Sequence, residues 1–385
     1  MTPGLRRRES VDLPPPDVDA ARCVHTQMEQ ASCRACVDAC PTRAWVISDD
    51  SLGIDVAFCD GCGLCAAACP EGAIAEGFAP VSYRVGGIGV AFASCLPALT
   101  SVGLPGTGEG VMPCLHVLSP AALLRLYQKG VRRLLLLRGD CDSCPRGGAM
   151  RVQQHWEQIS ALLLDRGQDA LLYRELSQQD WLKNLSEARA RHEQPTLGRR
   201  GFLRGWLKET VDTAMDLAER EHRVVPEFVP PGRLLGELDL NRKLNPDDDY
   251  NNGNDNDGPA TAKLGDHGRR LALHAPMIDP RRCIGCDACA RICPHDVIDI
   301  EPDAYRIDPD GCTGCGMCMD LCAAGAISLH TLEPFPQRRV PLRQGRCRAC
   351  GVAFHVPRGQ PLADSKTCPI CTTTNRHKQL FQVFG

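Results

Sequence analysis

One short stretch decides the fold of this chain: Cys283-Ile284-Gly285-Cys286-Asp287-Ala288-Cys289-Ala290-Arg291-Ile292-Cys293-Pro294. Its cysteines follow the spacing C-x2-C-x2-C-x3-C-P. The same run recurs downstream at Cys312, Cys315, Cys318 and Cys322, with Ala323 in place of the proline. Zinc sites pair two C-x2-C knuckles at a longer separation, so four-cysteine runs that end in Cys-Pro argue against that metal.

The spacing predicts two [4Fe–4S] clusters. Three cysteines, each separated from the next by two residues, wrap a tight loop around one cluster. The fourth opens a short helix, points away and binds the other cluster. The predicted ligand sets are therefore Cys283, Cys286, Cys289 and Cys322 for one cluster, and Cys312, Cys315, Cys318 and Cys293 for the other.

A second pair of runs lies near the N-terminus. Cys59, Cys62, Cys65 and Cys69-Pro70 match the spacing in full, and the preceding run is Cys23, Cys33, Cys36 and Cys40-Pro41, with nine residues between Cys23 and Cys33. Both blocks resemble the two-cluster bacterial ferredoxins, and iron–sulfur subunits of larger oxidoreductases look similar. We assign Cys23, Cys33, Cys36 and Cys69 to one [4Fe–4S] cluster, and Cys59, Cys62, Cys65 and Cys40 to another.

Each fourth cysteine also begins an internal repeat, in which Pro or Ala, two variable residues, a small residue and an apolar residue follow. The copies start at Cys40, Cys69, Cys293 and Cys322. They lie in two distant blocks, which indicates a duplicated module with a large insertion between the copies.

We therefore predict an α+β multi-domain chain, in which two dicluster ferredoxin-like modules flank an α/β domain and a small β zinc ribbon follows. The predicted boundaries are 1–20 for a flexible N-terminus, 21–78 for module 1, 80–190 for the α/β domain, 191–240 for an amphipathic helical linker, 241–268 for a disordered linker, 269–335 for module 2 and 336–385 for the zinc-ribbon-like domain.

The inserted segment alternates predicted strands and helices. Strands are predicted at 85–93, 111–113, 132–137 and 170–173, and helices at 121–129 and 149–165. Its four cysteines, Cys95, Cys114, Cys141 and Cys144, all follow predicted strands. In an open α/β sheet, sites form at the carboxyl ends of the strands.

The run from Pro113-Cys114 to Gly139-Asp140-Cys141 resembles the iron–sulfur delta subunit of methyl-viologen-reducing hydrogenase. That resemblance implies a [2Fe–2S] cluster on Cys95, Cys114, Cys141 and Cys144 that relays electrons between larger subunits. The residues leave two alternatives open. Cys141 and Cys144 could form a redox-active dithiol, because C-x-x-C after a strand is itself a redox motif, or the cysteines could be unliganded residues of a core.

The last four cysteines form two knuckles, Cys347-x2-Cys350 and Cys368-x2-Cys371, about 17 residues apart. This spacing predicts one tetrahedral S4 site. Zinc in a structural ribbon is our interpretation. A rubredoxin-type single iron is the alternative, although few aromatic residues are available to pack around it.

Composition supports metal thiolates over other uses of the 24 cysteines. The chain is longer than the small secreted domains that depend on disulfides, and we see no secretory signal and no apolar stretch of membrane-spanning length. We expect a cytoplasmic protein without direct membrane insertion. A net charge of −3 and 5% aromatic residues argue against nucleic acid as a partner.

The function predicted is that of an electron-transfer subunit between redox partner subunits. One alternative is a partner-dependent reductase that uses Cys141 and Cys144; it would need flavin or NAD on a partner, because no dinucleotide fingerprint is present. Another is an assembly or maturation factor for a redox enzyme, suggested by the twin-arginine-like run at 196–204.

Overall fold

The computed structural model describes residues 13–47, 52–100, 108–144, 146, 151–192, 228–244, 270–335, 337–359 and 367–374 of the 385. They form two compact units. The first comprises Met1–Gln27 and Arg34–Val229, and the second comprises Met28–Cys33 and Pro230–Gly385. The amphipathic helix expected around 203–218, the twin-arginine-like run and the expected linker from residue 245 onward lie outside the described residues.

The N-terminal part of the first unit is built from very short elements. In chain order they are α1 (Val24–Gln27), α2 (Ala35–Ala39), β1 (Trp45–Ile47), β2 (Leu52–Ile54) and α3 (Leu64–Ala68). β1 and β2 pair antiparallel, with Trp45 opposite Ile54. The small core contains Trp45, Ile74 and cysteine side chains, so cysteine thiols form part of the hydrophobic core.

Residues 13–20 differ from the flexible lead that we expected. Val18 forms an antiparallel bridge with Ile74, and the Asp19 N–H donates to the carbonyl of Ala73 over 2.7 Å. The module thus begins several residues earlier than its first cysteine, because an edge near Ile74 needs a partner strand.

The α/β domain of the first unit is a mostly parallel sheet. Its elements are β3 (Val81–Val85), β4 (Ile88–Cys95), α4 (Leu96–Thr100), β5 (Val111–Met112), α5 (Pro120–Gln128), β6 (Val131–Leu137), α6 (Arg151–Asp165), β7 (Leu172–Glu175) and α7 (Gln178–His192). The strand order is β3-β4-β6-β7, with β5 beside β4. Strands β4, β5, β6 and β7 are parallel, whereas β3 pairs antiparallel with β4.

This sheet has the predicted alternation of strands and helices, with additional elements that were not predicted. The strand expected at 85–93 is β4, which begins at Ile88, and the unpredicted β3 precedes it; Gly86 and Gly87 both have positive φ and turn the chain between the two. Along β4 and β6, residues such as Phe92, Leu134 and Leu136 are buried, as is typical of a strand covered on both faces.

The second unit contains two sheets. Its elements are α8 (Pro231–Leu244), β8 (Leu271–Ile278), α9 (Ala288–Ile292), β9 (Ile298–Ile300), β10 (Ala304–Ile307), α10 (Met317–Asp320), β11 (Ile327–Pro334), β12 (Arg339–Arg346), β13 (Ala353–Pro357) and α11 (Pro369–Thr374). β8 pairs antiparallel with β11, from Ile278 opposite Ile327 to Leu271 opposite Pro334. α8 extends past residue 241, where we expected the disordered linker to begin.

The C-terminal ribbon segment is not separate from module 2. The second sheet has the order β13-β12-β10-β9, and Val340 on β12 stands opposite Tyr305 on β10. Val340 and Leu342 are buried in the same core as Ile278 and Ile307. The expected boundary at residue 336 therefore lies inside one sheet, because β12 places alternate apolar residues in the core of the module.

Strand β13 also covers a cysteine loop. A side chain at Gly285 would meet the carbonyl oxygen of His355 well inside van der Waals distance, and Gly285 has a φ of +71°. The turn thus needs glycine both for its backbone conformation and for the close approach of β13.

Substitution of Gly285 by alanine should lower the midpoint of thermal unfolding more than the matched change Gly316→Ala. Both glycines have positive φ, so each alanine costs about 1–2 kcal/mol. Nothing lies within 4 Å of a Cβ at Gly316, whereas the contact with β13 adds about 1–3 kcal/mol at Gly285. Circular dichroism of the anaerobically purified full chain measures the difference, and equal midpoints would show that β13 does not restrain this loop.

Candidate metal centres

The cysteines of module 2 come together across the two runs. One cleft is lined by Cys312, Cys315 and Cys318 from one run and by Cys293 from the other. Burial raises the pKa of Cys312 to about 12, and the charges of Cys318, Cys315 and Cys293 act in the same direction. Three loop cysteines and one crossing cysteine thus share one site.

The reciprocal group lies around Cys289. Burial, with the charges of Cys283, Cys318 and Cys286, raises the pKa of the Cys289 thiol to about 12. Burial also raises the pKa of Cys283, and the charges of Cys286 and Cys322 act in the same direction. Closely spaced thiols of raised pKa lose their protons when a metal binds, and a set of four sulfur donors suits an iron–sulfur cluster.

The internal repeat has a structural role that its sequence did not disclose. In both modules the small residue of the repeat donates its backbone N–H to the sulfur of the cysteine four residues earlier. Ala44 donates to Cys40 over 3.3 Å and Ala326 to Cys322 over 3.2 Å. Because both alanines are buried, the hydrogen bond stabilises a thiolate at the crossing position.

In module 1, the structure brings together cysteines of one of the two expected ligand sets. Burial raises the pKa of Cys65 to about 11, and the charges of Cys40 and Cys59 act in the same direction. Burial likewise raises the pKa of Cys62 to about 12. The cysteine that crosses from the first run, Cys40, is thus near the loop 59–65.

The other expected set of module 1 is Cys23, Cys33, Cys36 and Cys69. Cys36 and Cys69 pack in one small core, and Cys23 is buried just before α1. Cys33 is half-buried and belongs to the second unit. This ligand set stays a prediction.

The α/β domain gathers its four cysteines at one edge of the sheet. Cys95, Cys114, Cys141 and Cys144 line one cavity. Cys95 ends β4, Cys114 follows β5, and the other two follow β6, as expected for the carboxyl edge. Burial raises the pKa of Cys114 to about 11, with the charges of Cys95, Cys144 and Cys141 acting in the same direction. The Gly139 N–H donates to the Cys95 sulfur over 3.2 Å.

His116 is a residue of this cavity that sequence reasoning missed. Its Nε2 lies 3.6 Å from the sulfur of Cys141, and its Nδ1 accepts the N–H of Val152 over 3.4 Å. Because Nδ1 is the acceptor, Nε2 carries the proton and points toward the thiol. Burial, followed by the charges of Arg151 and Arg138, lowers the pKa of His116. Its position two residues after Cys114 was the signal available.

A second missed group braces the Cys283–Cys289 loop. The carboxylate of Asp287 accepts a hydrogen bond from the Tyr305 hydroxyl over 2.7 Å and lies 2.7 Å from Nε2 of His355. Burial and the Asp287 carboxylate raise the pKa of Tyr305, which keeps its hydroxyl protonated as the donor. The loop is therefore held by β10 and β13 together.

The C-terminal knuckles form one compact sulfur site. The sulfurs of Cys347, Cys350, Cys368 and Cys371 all lie within 4.8 Å of one another. The Cys368 N–H donates to the Cys347 sulfur over 3.2 Å and lowers the pKa of Cys347, whereas burial raises the pKa of Cys371. The group can bind a metal ion.

Two segments match a known domain family. Residues 31–74 and residues 282–326 each match a 4Fe-4S dicluster domain. The chain carries two dicluster domains. Both matched segments are ferredoxin-like iron–sulfur modules, and along the sequence they lie before and after the α/β domain.

The chain is also similar to hydrogenase-4 component A of Escherichia coli K12. The two are 31% identical over 149 residues, which is 38% of this chain and 63% of the relative. The match thus spans less than two thirds of that protein. Among the described residues, no helix has both the length and the apolar character needed to cross a membrane.

Replacing Cys371 with serine should remove the metal ion of the C-terminal site and leave iron and acid-labile sulfide elsewhere unchanged. The substitution deletes one of four convergent sulfur ligands, and elemental analysis of the full chain measures the loss. The neighbouring variant Ile370→Ala alters a side chain that is 60% exposed and should keep the metal. A full equivalent of metal in the Cys371→Ser protein would contradict a four-sulfur site.

Proposed function

We propose that this chain is an electron-transfer subunit that relays electrons between redox partner proteins through four [4Fe–4S] clusters and one further cluster in the α/β domain. The observation that carries the proposal is the crossing cysteine. Cys293 leaves its own run and joins Cys312, Cys315 and Cys318, which is the ligand exchange of a dicluster ferredoxin. Each cluster supplies reversible one-electron chemistry when bound.

The protein's own groups prepare these sites in three ways. Cysteines of the predicted sets provide sulfur ligands, and backbone N–H groups such as that of Ala326 donate to ligand sulfur. Such donors raise a cluster's potential because they stabilise the more negative, reduced form. Strand β13 also packs closely against the Cys283–Cys289 loop at Gly285 and restrains it.

A [2Fe–2S] cluster is the group we propose for the α/β domain. A dithiol mechanism requires only Cys141 and Cys144, yet Cys95 and Cys114 reach the same cavity from two other strands. The charges of the other three cysteines all raise the pKa of Cys114, and the Gly139 N–H donates to the sulfur of Cys95. Four thiols this close together fit a four-sulfur cluster. The donor set thus supports a cluster over a dithiol.

Zinc is our proposal for the C-terminal site. The four sulfurs lie within 4.8 Å of one another, and a set of four cysteine ligands is typical of structural zinc. The knuckles continue from β12 and β13, so this metal would stabilise the hairpin that covers the Cys283–Cys289 loop.

The partners proposed are subunits of an oxidoreductase complex. The relative's name, hydrogenase-4 component A, supports a place in such a complex. In this proposal the substrate chemistry belongs to a partner subunit.

Anaerobic analysis of iron, sulfide and zinc, with EPR of the dithionite-reduced protein, tests the proposal. Four [4Fe–4S] clusters hold about sixteen irons, and a [2Fe–2S] cluster adds about two. We expect these irons and one zinc ion per chain. About eight irons would refute the proposal that both modules are loaded.

Single serine variants separate a cluster in the α/β domain from a dithiol. If the cavity holds a cluster, Cys95→Ser and Cys114→Ser should lose the [2Fe–2S] EPR signal as fully as Cys141→Ser and Cys144→Ser do. If only Cys141 and Cys144 act, the first two variants would keep the redox behaviour of the native chain, and the cluster would be excluded.

A further inference from the structure

One arginine connects two cysteine loops of the first unit. Asp60 lies in the module 1 loop, directly after Cys59, and one of its carboxylate oxygens accepts the Cys62 N–H over 3.2 Å. Its other oxygen accepts a hydrogen bond of 2.7 Å from Nε of Arg146. The arginine is therefore held by the loop that carries three cysteines of the Cys40, Cys59, Cys62 and Cys65 set.

The other side of the same guanidinium reaches the cavity of the α/β domain. Arg146 follows Cys144 by two residues and lines that cavity. Its terminal nitrogen donates to the carbonyl of Pro113 over 3.0 Å, and Pro113 precedes Cys114. One side chain thus joins loops that carry Cys59, Cys114 and Cys144.

The bridge is shielded from solvent. The side chain of Arg146 is 17% exposed and that of Asp60 is 32% exposed. The same module 1 loop is also tightly packed at Gly63, where a Cβ would lie 3.2 Å from the ring of Phe78 and 3.4 Å from Val117. A shielded ion pair with three directed hydrogen bonds fixes geometry better than an exposed one.

We infer that Arg146 is a positioning residue that holds the α/β cysteine site against the Cys40, Cys59, Cys62 and Cys65 site, making these two the adjacent steps of the relay. The inference rests on the proposed function. In this step one electron leaves one cluster and enters the other, so the first is oxidised and the second is reduced. No bond or proton needs to move.

Arg146 also places a permanent positive charge between two groups of thiolates. Reduction adds negative charge to a cluster, and a nearby cation stabilises that state. Removal of the charge should therefore lower the reduction potentials of both clusters. A structural brace that acted by packing alone would lack this effect.

The chain offers a matched control in Arg125. Its guanidinium lies 2.8 Å from Glu76, and Ser119 donates to the other oxygen of the same carboxylate. This pair also joins the C-terminal end of module 1 to the α/β domain, but Arg125 does not line the cysteine cavity. Its loss should leave both cysteine sites in place.

The experiment compares Arg146→Gln, Arg146→Lys and Arg125→Gln in the full, anaerobically loaded chain. Power saturation of the [2Fe–2S] EPR signal reports its magnetic interaction with the neighbouring reduced [4Fe–4S] cluster, and redox titration gives the potentials. In Arg146→Gln we expect weaker interaction and lower potentials of both clusters at unchanged iron content. Lysine, which keeps the charge, should restore the potentials in part, and Arg125→Gln should match the native chain.

Unchanged interaction and potentials in a fully loaded Arg146→Gln protein would overturn the inference. If that variant loses iron, Asp60→Asn breaks the same ion pair with little change of shape and decides the question: weakened interaction supports the bridge, and native behaviour overturns it. A native chain that shows no [2Fe–2S] signal at all would instead refute the proposed cluster, and with it this inference.

Discussion

A cysteine that leaves its own loop to join three cysteines of another loop is the constraint on which each dicluster module depends. The elements of these modules are three to eight residues long, and several of their core positions are cysteines. Such short elements bury too little apolar surface to fold firmly alone. The sulfur sites therefore connect the two halves of each module, and metal binding becomes part of folding.

The packing of these cysteine loops also affects the pKa values of their thiols before any metal binds. Burial raises the pKa of Cys62, Cys289 and Cys312, so these groups are protonated at neutral pH. The crossing Cys40 differs, because although its burial opposes ionisation, hydrogen bonds from Thr42 and Ala44 lower its pKa. Metal binding to these loop cysteines must thus release protons, whereas the hydrogen bonds at Cys40 already favour its thiolate form.

Much of the architecture could be predicted from cysteine spacing and strand patterns, because ligand loops and sheet edges depend on local sequence. The 4Fe-4S domains and the α/β alternation are such cases. The continuation of the module 2 sheet through β12 could not be predicted in this way, since strand pairing between Val340 and Tyr305 leaves no mark in local spacing. His116, the Asp287 network and the Asp60–Arg146 pair were missed for the same reason, because each depends on residues brought together from distant parts of the chain.

The shared sheet also has a consequence for association between molecules. Strand β10 pairs with β9 on one side and with β12 on the other. Without the C-terminal segment, β10 would present a bare edge of unpaired N–H and C=O groups beside an opened core, which invites pairing between molecules. Strand β12 thus protects this edge and fills the core at the same time, so truncation of the chain before Arg339 would expose both together.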